Sequence, residues 1–368
     1  MVRVLFLVAP FKRRMIERMI QYFSPQTICE VFTPFTEPTL ATSKLRSELL
    51  GDMTLDTAVA KFKPDIIYSD NALFAAQMEV QELLHRRRVP LITHLRGDWW
   101  REYWAWFLQA KWPAHIIGTQ HFVYQWFGLL TARRVTPICR WLDNVVKHYI
   151  PRKNTQVVYQ GVAPQDFFEV EPMVEVRSPS VAIIQNHTIY PKVLGLLNFK
   201  QVIQQLPRIN FYITEGEHFA PGYLPDVKQA YSKLKNVHFI GAVEGPSGVR
   251  KVLSSADCYV LASGLDCCPT TVLEAGLMRR PVLTSRVGGV PEIVLQGETG
   301  WTIENNAYDE WIERIRLLVE DEALRKRMGN RAREWVSQKF GWPTIANQVE
   351  KLLFSEVNDA TKPVFSNT

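Results

Sequence analysis

Two rhythms of apolar and polar positions alternate along the chain. Residues 2–9 form an apolar run, as in a strand covered on both faces. From Lys12 to Phe23 the apolar residues fall at 15, 16, 19, 20 and 23, and that spacing predicts a helix. Residues 64–68 predict a second short buried strand, 73–88 a helix ending in Arg86-Arg87-Arg88, and 90–95 a third strand. The rhythm restarts after residue 178. Strands are expected at 181–184, 210–213, 237–240, 258–261 and 281–283, with helices at 193–205, 226–235, 246–255 and 271–278. Residues 308–338 read as helices, and the polar tail from about 357 is expected to be disordered. Strands alternating with helices imply a mostly parallel sheet. The Pro- and Glu-rich stretch 163–178 lacks periodicity and is expected to link two domains. The expected fold class is therefore α/β, with two Rossmann-like doubly wound domains facing a central cleft. Ligands of such sheets bind beyond the C-terminal ends of the strands.

Composition narrows the class. A chain of 368 residues accommodates about two domains. With 46% apolar and 22% charged residues, disorder, collagen-like repeats and coiled coil are excluded. The net charge of +6 lies wholly in residues 1–170, while 171–368 is neutral. This is either an anionic partner met by the first half or a plain solubility charge. The five cysteines (29, 139, 258, 267 and 268) show no CxxC or Cys/His metal spacing. That fits a reducing, cytoplasmic setting. The first apolar run is too short for a secretory signal, and no apolar stretch reaches the length of a membrane span.

The chemistry concentrates in residues 258–292. A buried strand runs into a loop holding Asp266, Pro269, Thr270 and Thr271, and a helix starts at one of the threonines, either of which suits a cap. Backbone N–H groups at such a start suit a diphosphate. Glu274, one turn in, suits paired hydroxyls such as those of a ribose, and Asp266 suits sugar hydroxyls.

This stretch resembles the donor-binding segment of the retaining glycosyltransferases of family 4, which have the GT-B fold. Asp266 and Glu274 have the separation of that family's paired acids, with Asp in place of the usual first Glu. Gly288-Gly289-Val-Pro-Glu292 and Gly297-Glu-Thr-Gly300 also match, as does the turn 237–243, where Gly241 and Val243 would hold the nucleotide base. The resemblance covers about residues 1–355. It implies an N-terminal acceptor domain at 1–165, a C-terminal nucleotide-sugar domain at 178–340, and a helix at 341–357 crossing back to the first domain. It further implies that Lys192 matches the family's phosphate-binding Lys, while His187 stands where the family has Arg. Either His187 serves as a cation or donor, or Lys192 carries most of the charge. In the first domain Arg96 and Asp98 fall nearest the reacting sugar, ahead of His94, and the family's Gly-rich loop is altered to Ala9-Pro10-Phe11. Arg96 and Asp98 also suit a salt bridge closing a turn.

No Asp-x-Asp motif occurs, and the resemblance likewise implies no metal and no other cofactor. The expected reaction is transfer of a sugar, with retention, from a nucleotide diphosphate donor (UDP ahead of GDP) to a glycan or lipid-linked acceptor. Lys192, Asp266, Glu274, Arg96 and Asp98 are the catalytic candidates. His187, Gly241, Val243, Pro269, Thr270 and Thr271 complete the donor-binding set. The alternatives are a nucleotide-sugar epimerase of the same fold and a non-catalytic sugar-binding relative. No nucleic-acid partner is expected. Six tryptophans lie between 99 and 126. With the basic first half, the segment Trp99–Trp112 suggests a peripheral membrane surface. An aromatic acceptor pocket or plain packing accounts for it equally.

Overall fold

The computed structural model describes residues 1–9, 12–33, 55–71, 80–81, 84–85, 89–108, 114–173, 175–215, 222–243 and 245–361. The altered loop at Pro10-Phe11, most of the helix expected at 73–88 with its Arg86–Arg88 end, and Trp112 lie outside these residues. The chain divides into two compact units. The first comprises residues 1–103, 109–161 and 342–368; the second comprises 104–108 and 162–341.

The first unit is built on a parallel five-stranded sheet of order β2-β1-β3-β4-β5. The strands are β1 (Val2–Leu7), β2 (Thr27–Phe32), β3 (Ile66–Ser69), β4 (Leu91–Leu95) and β5 (Arg134–Pro137). Strands β3 and β4 are buried throughout. With both faces covered, even their polar Ser69, Thr93 and His94 are buried. Strand β2 is only partly buried. It forms the sheet edge, and its mixed sequence gave no strand signal. Helices α1 (Arg13–Ile20), α2 (Leu55–Phe62), α3 (Trp99–Phe107), α4 (Ala114–Thr131) and α5 (Arg140–Tyr149) belong to this half of the chain.

The second unit carries a parallel six-stranded sheet of order β11-β10-β9-β6-β7-β8. Its strands are β6 (Ser180–Ile183), β7 (Asn210–Ile213), β8 (Val237–Phe239), β9 (Cys258–Leu261), β10 (Val282–Ser285) and β11 (Gly300–Ile303). Between them run α6 (Tyr190–Gln204), α7 (Leu224–Tyr231), α8 (Gly245–Ser255) and α9 (Thr270–Leu277), followed by α10 (Tyr308–Glu320) and α11 (Glu322–Phe340). The core joins the strand faces to the helices through Phe199, Phe211 and Trp311. Phe199 meets Trp311 edge-on at 5.0 Å between centroids.

Both sheets have the two-way winding that opens a crevice at their strand C-termini. In the second unit the chain starts at β6, winds outward through β7 and β8, then returns beside β6 at β9. In the first unit the corresponding switch lies between β1 and β3.

Two expectations are corrected. Residues 163–178 are not a free linker. The backbone N–H groups of Val170, Met173 and Arg177 donate to Ser254, Ser255 and Tyr212 at 3.1, 2.7 and 2.9 Å, so the stretch is fastened to the second unit. The last helix, α12 (Trp342–Thr361), runs past 357 to residue 361, and residues 362–368 lie outside the described residues. Within the first unit, Glu350 on α12 accepts from the Ser24 N–H at 2.8 Å and from its hydroxyl at 2.7 Å. Buried Glu356 meets Arg133 at 2.9 Å.

Candidate functional site

The site in the second unit forms where β6 and β9 end. Lys192 sits in the first turn of α6, and Asp266 sits in the loop after β9. Lys192 Nζ lies 3.3 Å from each carboxylate oxygen of Asp266. Two glycines allow this approach. A Cβ on Gly195 would meet the Ser263 carbonyl carbon at 2.3 Å, and one on Gly264 would meet the Pro191 carbonyl oxygen at 2.2 Å. The start of α6 and the β9 loop therefore interlock backbone to backbone, which no larger residue permits.

Asp266 is held from its other side as well. Gly288 has φ +52°, and a Cβ there would lie 2.0 Å from the Asp266 carbonyl oxygen. The Gly289 N–H donates to that same oxygen at 3.1 Å. The Gly288-Gly289 pair thus supports Asp266 through its backbone. The Asp266 carboxylate also accepts from the Cys267 N–H at 3.1 Å. Cys267 and Cys268 are buried and form no disulfide among the described residues.

Helix α9 begins at Thr270 with Pro269 in the cap position, and no side chain caps it. This corrects the expected threonine cap: Thr270 and Thr271 both lie in the first turn. The Thr271 hydroxyl instead stands 2.7 Å from the buried Tyr259 hydroxyl, which donates to the Ile184 carbonyl at 3.0 Å. The first-turn N–H groups keep the helix-end positive potential without a capping oxygen. Glu274 follows one turn later and is half-buried. Burial pushes its carboxyl up to about 7, so near neutrality it exchanges between acceptor-only and donor forms.

His187 does not stand in for an arginine. It is 3% exposed, and its Nε2–H donates to the Thr214 carbonyl at 2.8 Å. Burial holds its pKa below the usual histidine range. The imidazole is therefore neutral near pH 7, and its Nδ1 is a buried acceptor without a hydrogen-bond partner among the described residues. Gln185 Oε1, two residues earlier, is a second such acceptor. These two orphaned acceptors went unnoticed in the sequence, which has no signal for them.

Gly241, two residues past β8, is in the left-handed region at φ +75°, and its Cβ position is open. Its carbonyl accepts from the Glu215 N–H at 2.8 Å. Val243 follows and contacts Gly248, whose Cβ would lie 3.0 Å from Val243 Cγ1.

In the first unit, Arg96 and Asp98 diverge. Asp98 is buried and accepts the Arg101 N–H at 3.2 Å at the start of α3. It pairs with the Arg101 guanidinium at 3.4 Å, and burial raises its pKa. Arg96 Nε donates to Asp70 Oδ1 at 2.9 Å, and another of its nitrogens meets Gln160. Lys12 Nζ lies 3.7 Å from Asp70 Oδ2. Asp70, which the sequence did not single out, is thus a buried carboxylate at the β1/β3 switch whose pKa is held down by Arg96, Lys12 and His94 against the opposing pull of burial. His94 lies in the core, with Nδ1 3.0 Å from the Thr136 hydroxyl.

The tryptophan segment divides. Trp99 and Trp100 are buried and stack at 4.2 Å between centroids. This corrects their placement on a membrane face. Trp104 is exposed.

Comparisons with known proteins follow this geometry. Residues 197–335 match the family described as glycosyl transferases group 1. The chain is 25% identical over 242 residues to N-acetyl-alpha-D-glucosaminyl L-malate synthase of Bacillus anthracis, covering 63% of this chain and 62% of that protein. It is 26% identical over 316 residues to the sulfoquinovosyl transferase SQD2 of Arabidopsis thaliana, covering 81% and 58%. The matches thus span about three fifths of these relatives' own lengths. The fold matches a sucrose-phosphate synthase from Thermosynechococcus elongatus at TM-score 0.76 and 15% identity, covering 98% of this chain and 100% of that one. It also matches Anabaena HepE in complex with UDP and glucose at TM-score 0.67 and 17% identity, covering 96% and 100%. The stretch 197–335 is thus similar to the glycosyl transferases group 1, and the two parallel sheets share the GT-B fold of the solved structures.

Proposed function

We propose that the protein transfers a sugar from a nucleotide diphosphate sugar, UDP-linked ahead of GDP-linked, to a glycan or lipid-linked acceptor, with retention and without a metal. The carrying observation is the Lys192–Asp266 pair at 3.3 Å, set across the β6/β9 switch beside the uncapped start of α9. Lys192 and the first-turn N–H groups of α9 are the positive groups available to a leaving diphosphate. Glu274 and Asp266 are the acceptors available to ribose and sugar hydroxyls. His187 binds as a neutral acceptor and adds no charge, so Lys192 carries the cationic role in full. The UDP preference draws support from HepE, which is described with UDP and glucose. The acceptor hydroxyl attacks the face that the diphosphate leaves, and the leaving phosphate takes its proton.

The test is incubation with UDP- and GDP-linked sugars. Product mass and anomeric configuration are then read by mass spectrometry and NMR. Release of the nucleoside diphosphate with an α-linked product from an α-linked donor supports the reading. Inverted product, epimerised donor or no turnover with any donor removes it.

A further inference from the structure

We propose that the outward face of α4 (Ala114–Thr131) docks on an anionic membrane surface. The helix contains no Asp, Glu, Lys or Arg over 18 residues. Its inward positions bury Leu129 and carry Phe122 and Trp126, which meet Trp99 at 4.9 and 5.9 Å between centroids. Its outward positions are also apolar: Val123, Tyr124, Phe127 and Leu130 are 56, 50, 45 and 56% exposed. A helix with apolar side chains on opposite faces belongs in a core or a membrane phase, yet Val123, Tyr124, Phe127 and Leu130 are exposed among the described residues. No helix among the described residues is long and apolar enough to cross a membrane, so the fitting geometry is a helix lying in the interface.

Charge selects the occupant. Across residues 114–160, Arg133, Arg134, Arg140, Lys147, Arg152 and Lys153 stand against Asp143 in sequence; Glu356 pairs with Arg133 and Arg134 and Asp143 with Lys147, so six cations meet two acids and the surface keeps a net positive charge. The basic excess of the first half is therefore concentrated here. Part of it is fixed to the helix itself, because Lys153 Nζ donates to the Leu130 carbonyl at 3.0 Å. Tyr149, exposed at the end of α5 beside Lys147, stacks on Trp100 at 4.9 Å and meets Trp126 at 6.1 Å edge-on. An apolar stripe with an aromatic and basic margin suits acyl chains beneath anionic headgroups. A second copy of the chain would bring the same basic margin against it. This surface deepens the lipid-linked acceptor reading and rests on it for its purpose, while its test is independent of transfer.

The probes are sedimenting vesicles of phosphatidylcholine alone and of an equal mixture with phosphatidylglycerol. The full chain is expected to sediment with the mixed vesicles, to remain largely soluble with the neutral ones, and to be released by salt. A chain carrying both Phe127→Glu and Leu130→Glu is expected to lose vesicle affinity by at least about tenfold. One carrying Lys147→Glu and Arg152→Glu is expected to lose the preference for anionic lipid. All should melt as the parent does, since the positions are exposed. Equal sedimentation of the Phe127/Leu130 variant and the parent overturns the proposal, as does a parent that ignores both vesicles. So does a parent dimer that the same variant converts to monomer in light scattering, which would assign the face to a second copy. Donor hydrolysis in the same samples separates the two readings: turnover without vesicle binding removes only the docking surface.

Discussion

Lys192 and Asp266 are separated by three strands of chain, yet their charged groups meet at 3.3 Å because β6 and β9 are sheet neighbours. In the proposed reaction Lys192 is the cation a leaving diphosphate would meet, and Asp266 restrains it. A nucleotide diphosphate would compete with Asp266 for Lys192, freeing the carboxylate for hydroxyls.

Replacing Lys192 with Ala should therefore lower kcat by about 10²–10³-fold, the loss that follows removal of one group stabilising developing charge. Lys192→Arg should recover part of it. Steady-state kinetics with the productive donor reads this, and a full-rate Ala variant would remove Lys192 from the site.

Glu274 gives a pH signature. Its carboxyl titrates at about 7 in the folded chain against 4.5 ordinarily. A raised folded pKa favours the protonated form, so its stabilising contribution is complete below about 4.5 and is lost as pH rises through about 7. Glu274→Gln should leave the ligand-free melting temperature unchanged near the acid end. Above pH 7 it should raise stability by an amount on the order of 1–2 kcal/mol. Donor affinity should move oppositely, rising with pH in the parent and staying flat in the variant. Calorimetry of nucleotide binding across that range decides it.

His94 predicts an acid limb. Burial lowers its pKa from 6.5 to about 3, so the unfolded chain takes up a proton that the folded chain refuses. Stability should fall as pH drops below about 6.5, at up to about 1.4 kcal/mol per pH unit for this group alone. His94→Gln should flatten that limb in denaturant titrations. An unchanged slope would mean that other groups govern it.

The glycine interlock is open to direct test. Gly264→Ala places a methyl 2.2 Å from the Pro191 carbonyl oxygen, a clash with backbone that nearby side chains cannot relieve. The expected cost is about 1–3 kcal/mol, with weakened nucleotide binding because Lys192 moves with its turn. Gly297→Ala is an informative contrast: its Cβ position is open and only its φ of +77° opposes the change. It should lose stability without losing donor affinity.

The legible parts of this chain are those where one residue type serves one physical demand. Strands β3, β4, β6, β7 and β9 announce themselves because both faces are buried and nearly every side chain must be apolar. Strands β2, β5 and β11 do not, being edges with mixed sequences such as Thr-Ile-Cys-Glu-Val-Phe. The donor segment was readable because glycines, an acid pair and a Pro-Val strand coincide at fixed separations. The tautomer of His187 was not. It depends on the Thr214 carbonyl, 27 residues away in sequence, and no local pattern encodes such a partner. Asp70 was missed for the same reason, since its meaning comes from Lys12 and Arg96 on other strands' loops. The tryptophans misled in placement because composition reports how many rings there are and not which way each faces.

The last helix has a consequence for how the molecule is made. Because α12 belongs to the first unit, the ribosome finishes the second unit while the first still lacks its closing helix. Glu356, the buried partner of Arg133 and Arg134, emerges only after every residue of the second unit. Until then the nascent first unit holds two unneutralised arginines and an open apolar seam, a window in which premature release or a chaperone would decide its fate.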